Sequence, residues 1–140
     1  MSRNSLFILL VIFVIFVVFV QFFRSGRPSP VTVLAPQENS GGEVDIKVTP
    51  LVLKAGEKPQ FEIEFNTHSI ELDFNISQIA SLTNDNGNAY TSSTWEGSPP
   101  GGHHREGTLT FSESLKETKS ITLALLNISN VAKREFTWSL

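Results

Sequence analysis

Cysteine is absent from this chain of 140 residues. The chain can therefore form no disulfide, can carry no lipid on a cysteine, and has no thiolate to act as a nucleophile or metal ligand. The sequence also lacks G-x-S-x-G, a phosphate-binding glycine loop and H-E-x-x-H, which mark common hydrolases, nucleotide-binding enzymes and metalloproteases. We therefore predict a protein that is not an enzyme, and we assign no catalytic residue.

Acidic residues are absent from the first 37 positions, and all 14 lie at or after Glu38. Arg3, Arg24 and Arg27 account for three of the 11 basic residues, so the chain from Glu38 onward has eight Lys or Arg against 14 Asp or Glu, a net charge of −6. A surface of that sign repels nucleic-acid phosphates and anionic lipid headgroups. We therefore expect no nucleic-acid partner.

Positions 6–23 form an apolar run whose one polar member is Gln21. A helix of that length is about 27 Å long, close to the hydrocarbon thickness of a bilayer. In the sequence F-F-R-S-G at 22–26, any cleavage would place Phe23 or Arg24 at the upstream position where signal peptidase requires a small residue. The pattern predicts a short N-terminal segment over 1–5 and a single, uncleaved transmembrane signal-anchor helix over 6–23, in contact with the lipid bilayer. The protein would then be a single-pass protein of the cell membrane, with its C-terminal domain outside the cytoplasm.

The remainder of the chain divides into a linker and a β domain. Residues 24–42 are rich in Pro, Gly and Ser and predict a flexible stalk. From 43 to 140, apolar and polar residues alternate with period two in several short runs separated by turn residues, which predicts an all-β, immunoglobulin-like antiparallel β-sandwich of about seven strands. One strand is expected over 70–76 and a central strand over 121–126. The residues expected to face the core are Phe61, Ile63, Phe65, Leu109, Phe111, Leu123 and Trp138.

The three histidines, His68, His103 and His104, are the candidate metal ligands. Imidazole is the commonest protein ligand for copper and zinc, and the glycines at 101 and 102 allow close backbone approach. Neighbouring residues on a regular strand point to opposite faces, so His103 and His104 could share one ion only if the strand is irregular there. The alternative is structural, with one imidazole packed on Trp95 and hydrogen-bonded to a carbonyl.

The segments N-T-H-S-I-E-L-D at 66–73, W-E-G at 95–97 and G-G-H-H-R-E-G-T-L-T-F at 101–111 carry a resemblance. They are similar to an uncharacterised group of small prokaryotic exported or membrane-anchored β domains, as is the ending R-E-F-T-W at 134–138. The resemblance implies export and an all-β fold. It also implies that the T-H-S and G-G-H-H segments are where a site would lie.

We interpret the chain as a membrane-anchored extracytoplasmic binding or interaction module, with a protein or envelope partner recognised through its loops, chiefly over 84–105. The first alternative is a copper- or zinc-binding module that uses the three histidines. The second is a pilin-like surface subunit, although the sequence lacks the short processed leader and the glutamate near the start of the apolar run that pilins carry.

Overall fold

A computed structural model describes residues 34–140. The predicted N-terminal segment over 1–5, the membrane span over 6–23 and the first part of the predicted stalk lie outside the described residues. Among residues 34–140, no helix has the length and apolar character needed to cross a membrane.

The described residues form two antiparallel sheets, which confirms the all-β prediction, but they contain nine strands where about seven were predicted. One sheet has five strands in the order β1-β2-β3-β7-β6, and the other has four in the order β5-β4-β8-β9. One short helix, α1, precedes β4. The elements are β1 (Gln37–Gly41), β2 (Val44–Val52), β3 (Gln60–Thr67), α1 (Ile76–Ile79), β4 (Ala80–Asn84), β5 (Ala89–Tyr90), β6 (Ser93–Gly97), β7 (His104–Phe111), β8 (Ser120–Ile128) and β9 (Val131–Ser139).

The core lies between the two sheets and is built from the alternating apolar positions of their strands. Side chains on successive strand residues point to opposite faces, so each strand contributes every second residue to this layer. Phe61 of the five-stranded sheet contacts Trp138 of the four-stranded sheet, with ring centroids 5.4 Å apart. All seven residues predicted to face the core are buried: Phe61, Ile63, Phe65, Leu109, Phe111, Leu123 and Trp138. The central strand predicted over 121–126 is confirmed, since β8 lies between β4 and β9.

The strand predicted over 70–76 is wrong. This segment carries the chain from β3 in one sheet to β4 in the other, and it contains bends and the start of α1. Leu72 and Ile76 are nevertheless fully buried. The alternation of apolar residues therefore reflects a crossover that points its apolar side chains into the core without pairing as a strand.

The predicted stalk over 24–42 is too long at its C-terminal end, because Gln37–Gly41 forms β1. A tight turn at Gly42 and Glu43, both with positive φ (52° and 66°), joins this strand to β2. Pairing with β2 and side-chain hydrogen bonds, rather than apolar burial, hold β1 in place. The Gln37 amide accepts a hydrogen bond from Thr137 N (3.1 Å) and donates one to Thr137 O. The sheet domain therefore begins before residue 43.

Arg134 of β9 links the two sheets where β1 lies beside β9. Its side chain is 1% exposed. One terminal nitrogen, Nη1, donates to Asn39 Oδ1 (3.0 Å) and to Val44 O (3.1 Å), and Nη2 donates to Gly41 O. A guanidinium of the four-stranded sheet thus binds the β1–β2 hairpin of the five-stranded sheet.

The assigned core predicts a contrast between two Leu→Ala substitutions. Leu123→Ala removes a side chain with no exposed surface and should lower the free energy of unfolding by about 2–5 kcal/mol, the range for a buried leucine. Leu51→Ala is the matched control, because Leu51 is 51% exposed and its truncation should leave stability nearly unchanged. Urea unfolding of the full chain in detergent, followed by tryptophan fluorescence, measures both. Equal losses for the two variants would contradict the assigned core.

Candidate functional site

The T-H-S and G-G-H-H segments meet at one end of the five-stranded sheet. Thr67 N donates to His103 O (3.0 Å), Leu72 N to Gly102 O (3.0 Å) and Gly101 N to Leu72 O (2.8 Å). Gly101 and Gly102 have φ of 109° and 75°, values that favour glycine. These residues, 67–72 and 101–104, are called the histidine corner below.

The buried side chain of Arg105 lies on the core side of the histidine corner and binds its backbone. It follows His104 on β7, its side chain is turned inward, and the residue is 2% exposed. Its Nη1 donates to the carbonyls of Leu72 (2.9 Å) and Phe74 (2.8 Å), and its guanidinium carbon lies 5.3 Å from the centroid of the Phe74 ring. Burial lowers the pKa of Arg105, and the charge of Asp73 opposes that shift. The guanidinium therefore supplies a second donor to Leu72 O, which also accepts from Gly101 N, and a donor to Phe74 O in the crossover.

All three histidines are exposed at this corner. His104 begins β7 opposite Asn66 of β3, and its Nδ1 lies 2.7 Å from Asn66 Oδ1. Because an amide oxygen accepts, Nδ1 is the donor in this contact, and Nε2 is the ring nitrogen outside it. His103 precedes the strand, and His68 follows the end of β3. Within residues 34–140, no three His, Asp or Glu side chains are grouped so that they could hold one metal ion.

The glycines of the W-E-G and H-H-R-E-G motifs have a packing role. Gly97 of β6 pairs directly with Gly107 of β7. A Cβ added at Gly107 would lie 2.7 Å from Cζ2 of the Trp95 ring, and one at Gly97 would lie 2.5 Å from the Gly107 Cα. Trp95 also donates its ring N–H to Ser98 O (3.0 Å). The two glycines let β6 and β7 approach while Trp95 covers their pairing.

The outer face of the five-stranded sheet is acidic, and we call it the acidic face. Its carboxylates occupy the outward positions that alternate with the buried core residues of the same strands. Lys47, Glu64 and Glu106 lie in one cross-strand row, with a 2.8 Å ion pair between Lys47 and Glu64. A hydrogen bond and the charge of Glu64 raise the pKa of Lys47. The acidic residues of this face are Glu38, Asp45, Glu62, Glu64, Glu96 and Glu106.

Two shallow grooves cross the acidic face side by side. Both are lined by Glu64 and Asn66; one extends to His104 and Glu106, and the other to Glu38 and neighbouring residues of β1 and β2. The histidine corner and the acidic face therefore form one continuous polar surface. Glu64 and Glu106 stand directly opposite each other on adjacent strands, an arrangement of like charges that destabilises a sheet.

Negative charge is concentrated on the outside of the described domain. None of the 14 acidic residues is buried, whereas two of the eight basic residues, Arg105 and Arg134, are. The surface therefore carries six lysines and 14 carboxylates, which gives it a net charge of −8. On the outer face of the four-stranded sheet, Thr83, Thr122 and Thr137 form one row, and Lys133 pairs with Glu135 beside it. The acidic face thus carries six of the 14 carboxylates and the outer face of the four-stranded sheet carries Glu135, while the other seven lie in turns and loops.

Comparison of the chain with protein-family models, with curated proteins and with solved structures gives no match. The resemblance drawn from the sequence motifs therefore stays a prediction, and the function is argued from the surface just described.

The role of Arg105 predicts the effect of replacing it. Arg105→Gln leaves the Phe74 carbonyl without its donor, while Leu72 O keeps the bond from Gly101 N, and one buried unsatisfied polar group costs about 1–3 kcal/mol. We expect a loss of stability of that size together with faster amide exchange at Leu72, whose N–H bonds to Gly102. Lys58→Gln, at an exposed position, is the control. Unchanged exchange at Leu72 would show that Arg105 does not hold the corner.

Proposed function

We propose that the chain is a membrane-anchored extracytoplasmic binding module without enzymatic activity, in which an immunoglobulin-like sandwich presents a polar surface to a protein or envelope partner. The observation that supports it is the alignment of six carboxylates on the acidic face, against one on the outer face of the four-stranded sheet. Opposed carboxylates such as Glu64 and Glu106 weaken the sheet that carries them. A cationic partner would relieve that repulsion and would be steered toward the face by its field.

The chemistry of the surface narrows the class of partner. Among the described residues, Leu51 and Leu140 are the large apolar side chains that are exposed, and they form no extended patch on the acidic face. An obligate partner held by apolar burial is therefore disfavoured. Nucleic acids and anionic lipid headgroups would be repelled. A positively charged polypeptide fits the surface best.

Site-specific photo-crosslinking in cells tests this proposal. A photoreactive residue at Thr108, which lies between Glu62 and Glu96 on the acidic face, should capture a basic protein partner. Thr83, on the outer face of the four-stranded sheet, is the matched control and should capture none. Capture at Thr108 should fall at about 1 M salt, where the Debye length is about 3 Å. No adduct at Thr108, or the same adducts from both positions, would contradict the proposal.

Copper or zinc binding at the histidine corner is the second candidate, and one observation favours it. A metal-binding histidine usually donates its second ring N–H to an oxygen, which fixes the ring with the other nitrogen exposed. His104 has this arrangement with Asn66. His103 and His68 lie on the adjoining segments, which the backbone bonds of the corner bring together.

Calorimetric titration of Cu(II) and Zn(II) into the full chain in detergent tests the second candidate. Stoichiometric binding should be lost in His104→Ala and in the variant with all three histidines replaced by alanine. Glu113→Gln, in an exposed loop away from the corner, should bind as the parent does. Absence of heat with either ion would remove this candidate. A loss of thermal stability in the triple variant without metal would assign the histidines a structural role.

A further inference from the structure

The strand β6 is an edge of the five-stranded sheet and pairs only with β7. The bonds at its two ends show which of its residues direct their backbone N–H and C=O groups toward β7. Ser98 N donates to Glu106 O (2.9 Å), and Ser112 N donates to Ser92 O (2.9 Å). In an antiparallel pair, hydrogen-bonded and non-hydrogen-bonded residue pairs alternate. The even-numbered residues of β6, Thr94 and Glu96, therefore bond to β7.

The odd-numbered residues of β6 must then direct their main-chain groups away from the sheet. Within residues 34–140, the backbone N–H and C=O groups of Trp95 and Gly97 have no hydrogen-bond partner. Thr94, Glu96 and Gly97 are exposed, and Trp95 is half-buried. At the start of the strand, Ser93 Oγ donates to Ser77 O of α1 (3.4 Å), so the open part of the edge runs from Trp95 to Gly97.

Two other sheet edges are closed or short. On β9, the Gln37 side chain bonds both the N–H and the C=O of Thr137. The strand β5 has two residues, Ala89 and Tyr90. The remaining edge, β1, is joined to β9 through this Gln37 contact and through Arg134. The β6 edge borders the acidic face and differs from β5 and β9 because, within residues 34–140, Trp95 and Gly97 keep free main-chain groups; it differs from β1 because β1 packs beside β9.

We infer that the β6 edge binds an extended polypeptide segment of the partner as an additional strand. This inference rests on the proposed binding function and specifies how the partner would bind. Main-chain bonds to Trp95 and Gly97 would supply the pairing, as in other cases of strand addition. Side chains of the added strand on the outer side would lie beside Glu96, and those on the inner side beside the Trp95 ring. The segment is therefore one in which Lys or Arg alternates with apolar residues.

Charge argues against a second copy of this chain as the occupant. Pairing two β6 edges would join two acidic faces into one continuous sheet, and each domain carries a surface charge of −8 from 14 carboxylates and six lysines. Like charges brought together in this way disfavour association. A basic segment instead neutralises Glu96 and approaches Glu106 on the neighbouring strand.

Amide hydrogen exchange of the full chain in detergent, measured by NMR, tests the inference. The probe is the capped peptide Lys-Val-Lys-Val-Lys, and Glu-Val-Glu-Val-Glu is the control peptide. In the protein alone, the amides of Trp95 and Gly97 should exchange fast while those of Thr94 and Glu96 are protected. The basic peptide should raise protection at Trp95 and Gly97 about tenfold or more, because exchange then requires local opening of the added strand.

Matched variants separate charge from strand pairing. Glu96→Gln should weaken binding of the basic peptide about two- to fivefold, the effect expected of one cross-strand charge pair. Glu113→Gln, an equal loss of charge in an exposed loop, should leave it unchanged. The acidic peptide should produce no protection. Equal weakening by both variants would overturn the assignment to β6.

Three other results would also overturn the inference. Unchanged amide exchange at Trp95 and Gly97 would show that the edge does not accept a strand. The proposed binding function would still be tested separately, by photo-crosslinking at Thr108. Protection at Glu38 and Ser40 instead would place the added strand on β1. Protection at Trp95 and Gly97 that grows with protein concentration in the absence of peptide would identify a second copy as the occupant.

Discussion

Hydrogen bonds from two inward-facing arginines to backbone carbonyls at the margin of the core are the interaction on which this sandwich depends. The carbonyls of Leu72 and Phe74 lie in the β3–α1 crossover, outside the strand ladders, and those of Gly41 and Val44 lie in the last residue pair of the β1–β2 ladder, beside the hairpin turn. Arg105 donates to the crossover at Leu72 and Phe74, and Arg134 donates to the hairpin at Val44 and Gly41. A guanidinium suits this task because it offers five donors in a fixed plane and stays charged when its pKa is lowered by burial. The two side chains thereby tie together segments that strand pairing alone does not join.

The same two arginines shape the outside of the molecule. Once they are buried, the surface retains six lysines against 14 carboxylates, and the strand register aligns several of these carboxylates on one sheet face. Internal stability and surface charge are therefore coupled in this domain. The donors that close the core are cations withdrawn from the surface, and the surface that remains is suited to a cationic partner. The open edge at Trp95 and Gly97 lies beside that face, so charge and strand pairing can act on one segment.

Strands that pack on the core were predictable from the sequence because period-two alternation has a direct physical cause. Phe61, Ile63 and Phe65 alternate with charged residues since one side of β3 meets the core and the other meets water. The strand β1 could not be found this way, because Q-E-N-S-G has no apolar alternation and is held by pairing with β2 and by the side chains of Gln37 and Arg134. The segment 70–76 alternates like a strand but bends between sheets, a distinction that depends on contacts distant in sequence. Inward-facing arginines were equally hidden, since a charged residue in an alternating run is normally assigned to the solvent side. For the candidate site, the motifs indicated which segments meet, whereas the alignment of carboxylates on the acidic face and the open edge depend on strand register.

The account depends most directly on Arg105 and Arg134 being charged, immobile donors inside the domain. Nitrogen-15 NMR of the guanidinium groups of the full chain in detergent at neutral pH measures this, with assignments from Arg105→Lys and Arg134→Lys. We expect separately resolved, slowly exchanging Nη–H signals for both side chains, since bonds to fixed carbonyls stop rotation of the guanidinium and exclude water. Averaged signals that exchange rapidly with water would show that these groups are solvated, and would contradict both the closure of the core and the surface charge derived from it.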